Sequence, residues 1–88
     1  MAVIQYINTD SHRCDDYEVH SKTTPIEVVI KRCRELGCYG FTRGSNHEGR
    51  GKYYIRSPKH TADNLKAHMK PYKNVSLFVL KELRDKRP

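Results

Sequence analysis

Between positions 43 and 60 the chain gathers Arg43, His47, Arg50, Lys52, Tyr54, Arg56, Lys59 and His60, with Glu48 as the one acid among five Lys and Arg residues. Arginine offers paired donors to a carboxylate, sulfate or phosphate, and a tyrosine left outside can stack on a base or a sugar ring. The stretch reads as a hairpin. Cys38–Arg43 leads in, Gly44 to Gly51 is a glycine-rich connection, and Lys52–Arg56 returns with Tyr53, Tyr54 and Ile55. Strand alternation puts Tyr54 and Arg56 on one face and Tyr53 and Ile55 on the other. The chemistry this pattern suits is anion recognition, with Arg43, His47, Arg50, Lys52, Tyr54, Arg56 and Lys59 as ligand-binding residues. The plain alternative is a solvated hairpin whose tyrosines serve the core.

Other chemistries find little support. Gly44–Gly51 lacks the Gly-Lys-Ser/Thr ending of a phosphate loop and precedes a strand where a helix is required. Three cysteines, Cys14, Cys33 and Cys38, are an odd number with no C-x-x-C, so they are expected as free thiols. Cys14 sits beside Asp15 and Asp16, which disfavour a thiolate. His12, Cys14, Asp15 and Asp16 match no familiar metal spacing. No carboxylate pair argues for acid–base work, and no histidine is marked as the base a cysteine nucleophile would need. No catalytic residue, metal ligand or cofactor is therefore expected, and the chain reads as a binding module.

Charge supports an anionic partner. Lys and Arg number 17 against 10 acids, for a net +7. Residues 1–30 hold two bases and five acids, whereas residues 31–88 hold fifteen bases and five acids. Such a lopsided basic domain suits an acidic protein, an anionic glycan, a nucleic acid or a membrane surface. No apolar run approaches the length of a membrane span. The Met-Ala-Val-Ile-Gln-Tyr-Ile start has no basic flank or small-residue cleavage site. With the odd cysteine count, this favours a reducing, cytoplasmic setting.

The elements that position the hairpin centre on residues 24–42. Thr24 is an N-cap candidate, Pro25 suits the first helical position, and Glu27 would complete a capping box. Ile26, Val29, Ile30, Cys33 and Leu36 recur at helical spacing, while Lys31, Arg32, Arg34 and Glu35 stay wet. Gly37 is placed for a left-handed cap that brings Cys33 against Cys38. Strands are expected over residues 2–7, over Asp16–His20 at an edge, and over Val75–Leu83 in a central position, because that last run is apolar on both faces. Asn8–Ser11 is turn chemistry. A second helix over 61–70 would have Thr61 as its cap and Leu65, Met69 and Tyr72 on one side, limited by Pro71. Residues 84–88 read as a frayed tail. The expected fold is α+β in a single domain, an antiparallel sheet of about five strands packed on one main helix at 25–36. A ferredoxin-like order is the alternative.

The unit Cys33, then Cys38-Tyr39-Gly40-Phe41-Thr42, then Lys52-Tyr53-Tyr54-Ile55-Arg56-Ser57 resembles the centre of a PAN/apple-like domain. The likeness covers residues 24–58. It implies a non-catalytic module that binds proteins or carbohydrates. The family's disulfides cannot form, because no cysteine follows Cys38. Gly37 to Thr42 also echoes an RNA-recognition motif, whose rings stack on bases, but it follows the first helix where that motif belongs on a later strand. RNA binding by the same basic–aromatic surface is the alternative function.

Overall fold

The helix expected after Pro25 forms as α1 (Ile26–Glu35) and buries Val29, Ile30 and Cys33, with Ile26 and Leu36 packed at the margin. Its C-terminus closes as a Schellman motif. Gly37 sits at φ 72°, its N–H donates to the Arg34 carbonyl (3.1 Å), and the Cys38 N–H donates to the Cys33 carbonyl (2.9 Å). Cys33 and Cys38 lie in one buried cluster, matching the apolar contact that often accompanies that motif. The N-terminus departs from expectation. Pro25 is itself the cap residue, and no side chain caps the helix. Ser21–Thr24 folds into its own turn, with the Thr24 N–H on the Ser21 carbonyl (3.0 Å), so the Thr24 hydroxyl does not form the capping box.

The computed structural model describes residues 3–44 and 51–81. Around α1 the chain lays down β1 (Val3–Tyr6), β2 (Thr9–Ser11), β3 (Asp16–His20), β4 (Gly40–Gly44), β5 (Tyr53–Arg56), α2 (Ala62–Ala67), β6 (Met69–Pro71) and β7 (Val75–Leu80). Five strands make an antiparallel sheet in the order β1-β7-β4-β5-β3. The α+β class, the edge position of Asp16–His20 and the central position of the last strand all hold. The residues of that last strand beyond Leu80 and Lys81, and the 84–88 tail, lie outside the described residues.

Alternation along the central strands gives the sheet two covered faces. On one, Phe41, Tyr53, Ile55, Phe78 and Leu80 meet α1. Phe41 stacks on Phe78 at 4.9 Å between centroids, and Tyr53 meets its edge at 5.8 Å. On the other, Leu77 and Val79 meet Ala62 of α2, with Tyr6 and Tyr39 at the margin. The helices thus pack on opposite faces, whereas a ferredoxin-like sandwich keeps both on one.

Two local readings are corrected. Residues 8–11 do more than turn: Thr9–Ser11 pairs with Met69–Pro71 as a separate two-stranded ribbon. The second helix ends at Ala67, because Met69 and Lys70 take part in that ribbon. Thr61 does cap it, accepting from the Asn64 N–H at 3.2 Å. Met69 and Tyr72 are exposed and so leave the apolar side to Leu65.

Candidate basic end of the sheet

Strand register decides which of the expected ligand residues stand together. Arg43 pairs across to Tyr53 and to Ser76, Gly44 to Val75, His20 to Tyr53, and Tyr6 to Leu77. One end of the sheet therefore collects the connections after β1, β3 and β4 and the one before β7. Exposed Lys22, Arg43, Lys52 and Lys73 belong to that end, on or beside four neighbouring strands. At a strand spacing near 4.8 Å they are strung over about 14 Å. The described parts of those connections, residues 7–8, 21–23, 51–52 and 72–74, contain no acid. Glu27, in the first turn of α1, is the acid that follows.

One glycine-dependent approach shapes this end. Gly51 sits at φ 80°, and a Cβ there would lie 3.2 Å from Lys22 Cβ and 3.8 Å from an Arg43 guanidinium nitrogen. The missing side chain lets Lys22 and Arg43 converge over the start of β5. Gly44 donates its N–H to the Lys52 carbonyl (3.2 Å) and closes the hairpin base. The Arg43 guanidinium rests over the Tyr53 ring, 5.6 Å from its centroid, which holds it at about 0.5–1 kcal/mol without neutralising it. Among the described residues no acid pairs with Lys22, Arg43, Lys52 or Lys73.

At the same end, Asn8 (φ 52°) holds the turn before β7. Its carbonyl accepts the Tyr72 N–H (2.9 Å), and its Oδ1 accepts the Asn74 N–H (3.1 Å). The Ile7 carbonyl accepts the Thr9 hydroxyl (2.9 Å). Ile7 and Tyr72 project from this braced corner, 70% and 46% exposed.

The remaining expected residues separate from this cluster. Tyr54 is half-buried, on the sheet face away from α1. Arg56 points inward, its side chain 11% exposed. Its guanidinium donates to Asp16 Oδ1 (2.6 Å), Asp10 Oδ1 (2.8 Å), the Cys14 carbonyl (2.9 Å) and Thr42 Oγ1 (3.3 Å). It ties the 10–16 segment to the sheet and is not offered to a ligand. Lys59 lies at the opposite end, paired with Asp15 at 2.6 Å, and that hydrogen bond holds the Asp15 carboxyl below its usual value. His60 accepts the Asp15 N–H at Nε2 (3.0 Å) and meets Asn64 Oδ1 through Nδ1 (2.7 Å). His47 and Arg50 lie outside the described residues. Lys22 and Lys73 were missed because nothing in the linear order places them beside Arg43. Their one sequence signal is position, each falling in a turn between apolar runs.

The three cysteines are buried and none is in a disulfide. Burial pushes the Cys38 thiol up. Ser11 Oγ, which donates to the Leu65 carbonyl (2.9 Å), lies 3.0 Å from Cys14 Sγ. Among the described residues no group of three or more His, Cys, Asp or Glu is placed to hold a metal ion, and no helix is long and apolar enough to cross a membrane. Comparison with known proteins gives no match: no family model, no curated protein and no solved structure aligns significantly with this chain.

Proposed function

We propose that this protein is a non-catalytic binding module that takes an anionic partner along the basic end of its sheet. The observation that carries the reading is the alignment of Lys22, Arg43, Lys52 and Lys73 over neighbouring strands, with no acid in the described parts of the connections there. A row of cations attracts an extended polyanion more than it does a compact ligand, because each charge adds a modest, salt-screened increment. A sulfated glycan or an acidic protein segment presents anions in such a line. Reading the chain as a PAN/apple-like module without disulfides rests on the sequence motif of Cys33, Cys38-Tyr39-Gly40-Phe41-Thr42 and Lys52–Ser57.

The test is titration with a heparin fragment, an acidic peptide and single-stranded RNA at two salt concentrations. A Lys22→Glu, Lys73→Glu double variant is expected to lose at least about tenfold in affinity for the polyanion, since each reversal removes an attraction and adds a repulsion of up to about 1 kcal/mol. Lys59→Ala, at the far end, is expected to leave affinity unchanged. Equal losses from the near and far variants, or no binding at physiological salt, would refute the basic end as the site. Binding confined to RNA would move the function to nucleic-acid recognition.

A further inference from the structure

The basic end carries two residues that a soluble polyanion does not need. Ile7 is the most exposed large apolar side chain among the described residues, and Tyr72 stands on the adjoining turn. A single exposed aliphatic residue is ordinary. This one is held at a corner whose backbone is fixed on both sides: Asn8 bridges to the Tyr72 and Asn74 amides, and the Thr9 hydroxyl bonds the Ile7 carbonyl. Lys73 follows Tyr72 directly, and Lys22, Arg43 and Lys52 continue the row. A branched aliphatic side chain neither stacks on a base nor pairs with a sulfate. An apolar tip, an amphipathic ring and a flanking row of cations match the layers of an anionic lipid bilayer: acyl chains, interface and headgroups.

We infer that the basic end docks on an anionic membrane surface, with Ile7 and Tyr72 entering the headgroup boundary and Lys22, Arg43, Lys52 and Lys73 resting against acidic lipid headgroups. This inference rests on the anion-binding reading above and names the partner as a lipid surface. It requires no rearrangement of the fold, because the corner is already exposed and braced. Neither contribution suffices alone. One aliphatic and one aromatic residue give weak partitioning into neutral bilayers, and the cations alone give adsorption that salt removes.

Vesicles of phosphatidylcholine with about a third phosphatidylserine, compared with pure phosphatidylcholine, provide the probe. The full chain is expected to sediment with the acidic vesicles and not with the neutral ones. Ile7→Ser is expected to lower the partition coefficient about tenfold, the scale of one aliphatic side chain leaving an apolar phase. Heparin binding should be unchanged in that variant, and an unchanged far-ultraviolet circular dichroism spectrum and melting transition show that it remains folded. The chain has no Trp, so Tyr72→Trp installs a single indole. Its emission is expected to shift to the blue on acidic vesicles and to be quenched by brominated acyl chains. Acidic-vesicle binding that Ile7→Ser leaves intact, or an indole that stays in water on bound protein, would overturn the inference. Heparin binding without vesicle binding would overturn it while sparing the anion-binding reading. Loss of both would remove that reading as well.

Discussion

Arg56 offers the sharpest test of how charge is arranged in this molecule. Arg56→Met keeps the length of the stem and deletes the guanidinium. What is lost is a charged donor shared among Asp10, Asp16 and the Cys14 carbonyl at 2.6–2.9 Å, with a longer contact to Thr42. Removing one member of a buried ion pair costs about 3–5 kcal/mol, because the partner charge stays behind. Two features lower that figure here. The carboxylate side chains of Asp10 and Asp16 are 25% and 48% exposed, so water recovers part of their solvation. Arg56 Nε is buried with no hydrogen-bond partner among the described residues, a penalty that methionine removes. The net expectation is about 2–3 kcal/mol, a large share of the roughly 4–13 kcal/mol total stability usual for a domain of this size.

Urea unfolding at neutral pH reads this directly. With a slope near 1 kcal/mol/M, the midpoint is expected to fall by about 2–3 M. Adding Asp10→Asn to Arg56→Met removes one stranded carboxylate, so the double variant is expected to be more stable than the sum of the single costs predicts, by about 1 kcal/mol. A midpoint shift under about 0.5 M, or strict additivity, would refute the reasoning. Folded Arg56→Met is also expected to keep its affinity for heparin. A clear loss there would return Arg56 to the ligand surface.

Glu18 accepts two bonds from Arg32, at 2.8 and 3.0 Å, which tie β3 to α1. Chiefly through that hydrogen bond, its carboxyl is held down at about 2, from an ordinary value of 4.5. Between those values the unfolded chain binds the proton and the folded one does not. The contribution is therefore whole above about pH 5 and drains away as pH falls toward 2. Glu18→Gln is expected to flatten that limb of the stability–pH curve; variant and parent curves that run parallel would contradict it. Gly40→Ala places a Cβ 2.5 Å from the Phe78 carbonyl oxygen and 2.9 Å from Leu65 Cδ1, in a central strand that cannot easily give. A loss of about 2–3 kcal/mol is expected in thermal unfolding, against about 1 kcal/mol for Gly37→Ala, where φ is positive but the space is open. The reverse ranking would show that backbone conformation outweighs packing at these glycines.

What could be read from the sequence was whatever local rules decide. Helical spacing from Ile26 to Leu36, the left-handed Gly37 and the doubly apolar run at Val75–Leu80 each depend on near neighbours, and each formed. The ribbon of Thr9–Ser11 with Met69–Pro71 could not be read so easily. Its strands are three residues long, one of them the turn-type Thr-Asp-Ser and the other ending in Pro71, and they are joined across most of the chain. The site divides the same way. Alternation put Arg56 on the face opposite Tyr53 and Ile55. Only tertiary structure shows that the 10–16 segment covers Arg56 there. Lys22 and Lys73 join Arg43 because β7 and β3 flank the β4–β5 hairpin, an order that no local pattern encodes.

The fold also changes what the charge asymmetry means. Along the chain, an acidic first third precedes a strongly basic remainder, and that suggests a basic surface spread over the second part. In space four of the five acids of the first third act as counterions for particular bases of the rest. Asp10 and Asp16 take Arg56, Asp15 takes Lys59, and Glu18 takes Arg32. Those pairings withdraw three cations from the surface balance. They fall at the other end of β5 and along α1, away from Lys22, Arg43, Lys52 and Lys73. Those cations are thereby offset, while Lys22, Arg43, Lys52 and Lys73 keep their charge where strand ends and turns meet. A long-range field from such an end is stronger than the same charge scattered over the domain, because screening limits each cation to neighbours within about 8 Å. The acidic N-terminal stretch, which taken alone looks opposed to anion binding, is what makes one end of the sheet distinct from the other.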